Sequence, residues 1–67
     1  MNKIEVPDNA IKIKNEDNTT LVMWNKKSAM FIYVFNNTDD IFTHDNIIMS
    51  NIVDVKLFFE TIQKELL

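Results

Sequence analysis

Apolar and charged residues alternate through Ala10-Ile11-Lys12-Ile13-Lys14, the period-two pattern of a strand with one buried side. Thr20 to Trp24 (TLVMW) is a second strand, rich in residues that suit a pleated surface. Ala29 to Phe35 (AMFIYVF) predicts a third strand, apolar on both faces. Polar clusters separate these runs at Asn15–Thr19, Asn25–Ser28 and Asn36–Asp40. Two weaker strand candidates, Ile41-Phe42-Thr43 and Ile47-Ile48-Met49, flank a polar tip at His44-Asp45-Asn46.

From there the period changes. Ile52, Val55, Phe59, Ile62 and Leu66 recur at spacings of three and four, with Phe58 alongside, which is one stripe of an amphipathic helix. Ser50 or Asn51 is placed to cap it, and Glu60 and Lys64 form an i,i+4 pair on its far side. The pattern predicts a single α+β domain over residues 1–67. It has a lead-in at 1–8, an antiparallel meander of three to five strands at 9–50, and a helix at 51–66 packed on one sheet face.

Strand pairing then sorts the side chains. If Lys14 pairs with Thr20 and the second hairpin has an even-numbered loop, Ile11, Ile13, Leu21, Met23, Met30, Ile32 and Val34 share one face. Lys12, Lys14, Val22, Trp24, Phe31, Tyr33 and Phe35 share the other. The helix has one apolar stripe to bury, and the lysines direct it to the aliphatic face. Val22, Trp24, Phe31, Tyr33 and Phe35 are left as an uncovered aromatic patch, the expected partner interface. The competing expectation is that the lead-in or a fourth strand folds over these rings and makes them core.

Composition narrows the chemistry. With no cysteine there are no disulfides, thiolate metal sites or thiol nucleophiles. A 67-residue chain is marginal on its own core, so oligomerisation is the remaining route to extra burial, and a homodimer is expected. With no glycine, positive-φ positions are expected to fall to Asn or Asp, which abound in the turns. Glycine's absence also rules out a glycine-rich phosphate loop. The skew toward Asn, Ile, Lys and Phe suits a low-GC genome, such as that of a bacterium, phage or mobile element.

The net charge of −3, with seven lysines and no arginine, opposes general nucleic-acid binding. His44 is the lone imidazole, and with Asp39, Asp40 and Asp45 it lacks the partners of a catalytic dyad or a metal cage. The longest apolar run is too short to span a bilayer, and no apolar leader opens the chain, so a cytoplasmic setting is expected. These features imply a non-enzymatic binding protein without cofactor, working through protein–protein contacts. An inhibitor or modulator of a larger host protein fits that description. The alternatives are nucleotide or single-stranded nucleic-acid binding through Lys12, Lys14 and the aromatic rings, or a structural role in a larger assembly.

Overall fold

A computed structural model describes residues 2–66, apart from the side chains of Phe58, Phe59, Glu65 and Leu66. It is an α+β chain in which four antiparallel strands precede one helix. The strands are β1 (Ile11–Lys14), β2 (Thr20–Lys26), β3 (Ala29–Phe35) and β4 (Ile47–Asp54), ordered β1-β2-β3-β4 as a simple meander. The helix α1 spans Val55–Leu66.

The first hairpin has the expected register, with Ile11 opposite Met23, Ile13 opposite Leu21 and Lys14 opposite Thr20. Its turn is closed locally. Asn15 N–H donates to the Thr19 carbonyl at 2.8 Å, and the Asn15 amide donates to Thr19 Oγ1 at 3.0 Å. Asn18 takes a positive φ of 65°, as its side chain permits. In the second hairpin Lys26 pairs with Ala29, leaving only Lys27 and Ser28 as the loop. The loop is even-numbered, so the two faces sort as the pattern predicts. One expectation fails here: Lys27, neither Asn nor Asp, has φ 57°. The first residue of a two-residue hairpin loop often needs that conformation whatever occupies it.

β4 is longer than expected, and the helix starts later. Asn51, Ile52 and Val53 pair with Ile32, Phe31 and Met30, so they belong to the sheet. The physical reason is β3: seven residues apolar on both faces need a partner of matching length. Ile48 is one extra residue between the partners of Val34 and Phe35, a bulge that bends β4 near its start. Asp54, not Ser50 or Asn51, caps the helix, accepting from Leu57 N–H at 3.0 Å. Val55 N–H donates to the Ser28 carbonyl at 2.7 Å, which seats the helix against the second turn. Ile52 therefore leaves the helical stripe and stands on β4, 59% exposed. The expected contribution of Phe58, Phe59 and Leu66 to that stripe lies outside the described residues.

The helix does not fold back over the aliphatic face. Ile11 is 56% exposed, Ile13 45% and Met49 46%. The long axis of the molecule measures 45 Å. Eight residues of strand reach about 26 Å and twelve of helix about 18 Å. Strand and helix laid nearly end to end account for that length. The radius of gyration, 14.2 Å, likewise exceeds the ~11 Å of a compact chain of this size. Among the described residues no helix is long and apolar enough to cross a membrane.

The core among the described residues lies on the other side of the sheet. Val22 and Phe35 are completely buried, with Thr20 and Thr43 beside them. Their cover comes from the stretch between β3 and β4 and from the amino-terminal segment. Ile4 N–H donates to the Phe42 carbonyl at 2.8 Å, and His44 N–H to the Asn2 carbonyl at 3.0 Å. Ile41-Phe42-Thr43 forms no strand; Thr43 makes a single bridge to Lys3 instead.

Candidate functional site

β2 and β3 are paired so that Trp24 stands opposite Phe31 and Val22 opposite Tyr33. Residues two apart on a strand share a face, so the rings of both strands fall into one row. Phe31 and Trp24 stack at 5.4 Å between centroids and 8° between planes, and Trp24 and Tyr33 at 5.4 Å and 15°. Tyr33 and Phe35 follow at 5.8 Å and 22°. Phe42, from the loop, closes the row on Phe35 at 4.9 Å with a 55° tilt. Lys12 Nζ then lies 5.5 Å from the centre of the Phe42 ring. Such ring pairs contribute roughly 0.5–1.5 kcal/mol each beyond the area they bury, so the row stiffens this face.

Facing the row is the chain from Glu5 to Asn9. Its upstream end is held by the hydrogen bonds to Phe42 and His44, and its downstream end runs into β1. Pro7 keeps Val6 out of the helical region, and its carbonyl accepts from Ala10 N–H at 3.0 Å, turning the chain toward the strand. The result is a wall standing off the sheet. Between it and Trp24, Phe31 and Tyr33 lies a cleft of about 640 Å³. Glu5 and Asp8 line the wall side, and Lys26 the β2 side. The cleft is therefore apolar on its sheet side and charged around its edge.

The five residues expected at an interface all lie on one sheet face, in two environments. Val22 and Phe35 are sealed inside the chain. Trp24, Phe31 and Tyr33 are half-buried and line the cleft. Covering by the amino-terminal segment is thus partial: it closes one end of the aromatic face and leaves the other as a groove. The competing expectation holds in part: the lead-in, extended at Pro7, supplies most of the wall. One contributor is not legible in the sequence: Phe42, expected in a weak strand, joins the aromatic row, and nothing local marks that long-range contact.

The polar loops hold no comparable constellation. His44 is exposed, at the start of a three-residue 3₁₀ turn, His44–Asn46. Asp40 meets Lys14 at 3.9 Å, with both side chains largely in solvent. Among the described residues no three of His, Asp and Glu come together in a way that could hold a metal ion. The Thr19 hydroxyl, donating to the Asp17 carboxylate, holds that group below the usual aspartate range. Comparison with family models, curated proteins and solved structures finds no match to this chain.

Proposed function

We propose that this chain is a non-enzymatic binding protein whose aromatic cleft receives a segment of another protein, modulating or inhibiting a larger partner. One observation carries the proposal: Trp24, Phe31 and Tyr33 form a stiff, half-buried apolar floor beneath a wall that leaves the groove open. Tryptophan and tyrosine in a preformed groove supply binding area at little entropic cost, which is why they are enriched at the centres of interfaces. The groove's open side suits an extended segment better than an enclosed small molecule.

Charge favours a protein ligand over a nucleic acid. Glu5 and Asp8 stand on the wall, and Lys12 is turned away to the Phe42 ring. A strand of phosphates entering this groove would meet two carboxylates against a single lysine, Lys26.

The test is capture from the native host with the parent chain and with Tyr33→Lys. The variant places an ammonium group on the groove floor, where desolvating it against an apolar segment is costly. Its flexible stem can reach water in the free protein, so the fold is expected to persist. A partner should be retained by the parent, lost with Tyr33→Lys, and held with little dependence on salt. Equal capture by both folded proteins would move the binding site elsewhere. A nucleic acid released steeply by salt would replace the proposal with its alternative.

A further inference from the structure

The aliphatic face of the sheet is the largest feature the aromatic cleft does not explain. It runs from Ile11 on β1 across Met23 and Ile32 at its centre to Met49 on β4. No strand places a charged residue on this face, and its only polar positions are Asn25 and Asn51. None of its side chains is buried; Ile11, Ile13 and Met49 on the outer strands are about half exposed, and Val53 is partly covered. A monomer seldom leaves an uncharged apolar surface of this extent in water.

Area identifies the occupant. The chain exposes 5358 Å². A compact protein of 7.9 kDa exposes about 4,400 Å². The excess, about 950 Å², is shared between the uncovered face and the protruding helix, and is of the same order as the ~800 Å² that each partner contributes to a stable interface. The described residues include only two fully buried apolar side chains, Val22 and Phe35. A partner that completes the core must be present whenever the chain folds, and the one molecule certain to be there is another copy. An uncharged face also complements itself, which an interface across a two-fold axis requires.

We infer that two copies pack aliphatic face to aliphatic face about a two-fold axis, forming a sandwich whose interior is supplied half by each. The sheets stand about 10 Å apart, with Met23 and Ile32 near the axis. The aromatic cleft lies on the opposite side of each sheet, so the dimer presents two clefts pointing outward. This goes beyond the binding reading, and either can fail alone.

Sedimentation and thermal melting of the parent chain across a hundredfold concentration range form the first test. A species of twice the chain mass is expected, with a melting temperature that rises with concentration. A folded monomer that melts at a fixed temperature overturns the inference and leaves the face to a different protein. The second test places single cysteines in this cysteine-free chain. Met23→Cys, at the centre of the face, should oxidise readily to a covalent dimer; Ser50→Cys, on the other side of β4, should not. Cross-linking through Ser50→Cys instead would mean association by the β4 edge or the aromatic face, and would also overturn it. Ile11→Lys combined with Ile13→Lys should weaken the dimer at least a hundredfold. Unchanged dimerisation of that folded variant would again count against the sandwich.

Discussion

The hydroxyl of Thr20, fully buried at the start of β2, donates to the main-chain carbonyl of Asn37 at 2.7 Å, tying the sheet to the loop that follows β3. Thr43, only 2% exposed nearby, has no partner for its own hydroxyl among the described residues. The two threonines should respond in opposite directions to the same substitution. Thr20→Val strands a carbonyl and should cost about 1 kcal/mol or more, since removing one member of a bonded pair leaves the other unsatisfied. Thr43→Val removes an orphan and should be neutral or stabilising by about 1 kcal/mol. Urea denaturation of both variants checks this; equal losses would mean that Thr43 has a partner too.

Phe35 lies between Tyr33 and Phe42 and is shut off from solvent. Phe35→Ala should cost ~3–5 kcal/mol. Small domains seldom hold more than ~3–5 kcal/mol in total, so the variant should lose its cooperative melt by circular dichroism. Ile41→Ala, at a position 46% exposed, is the control and should melt like the parent. If Phe35→Ala melts like the parent as well, the packing of the aromatic row is not what holds this face together.

Much of the sheet was legible from pattern alone. The alternation at 10–14 and the doubly apolar run at 29–35 mark the strands, and the even-numbered second loop sorts their side chains between the two faces, because successive side chains alternate. The helix start was misplaced because Ser50-Asn51 looks like a cap and Ile52 fits the helical spacing. The signal that argued otherwise was the length of β3, whose seven residues need pairing along their full extent. Coverage of the faces was less legible. The direction α1 takes depends on Asp54 and on the Ser28 carbonyl, and the place where segment 2–9 docks depends on contacts some 40 residues distant.

Lys27 holds φ 57° in a two-residue loop, where a β-carbon costs roughly 1–2 kcal/mol. Lys27→Gly relieves that strain, partly offset by the greater freedom of glycine in the unfolded chain. A net gain of about 1 kcal/mol is expected, read as a higher urea midpoint at unchanged slope. A lower midpoint would mean that the lysine side chain has an unrecognised role.

Asp17 titrates below the usual aspartate range because the Thr19 hydroxyl and main chain donate to it. A depressed folded value means the contribution is present above the unfolded value and is lost as pH falls through the folded one. The β1–β2 turn should therefore hold through mildly acidic conditions and loosen only below the ordinary aspartate range. A carbon-detected NMR titration should give Asp17 the lower midpoint in the parent and return it toward normal in Thr19→Ala. An identical midpoint in both proteins would remove the hydroxyl as the cause.

The meander order has a kinetic side. Every strand pairs with its neighbour in the chain, so the sheet can form by successive hairpin closures without a crossover, which favours fast folding. The tightest closure is the two-residue Lys27–Ser28 loop, where β2 and β3 can zip outward before either end of the chain is placed. β1 and β4 then add to edges already formed, and α1 comes last, since it rests on the Ser28 carbonyl of that first turn. On this route the strained turn is formed at the barrier. Relaxing Lys27 should therefore appear mainly as faster folding, with the unfolding rate little changed.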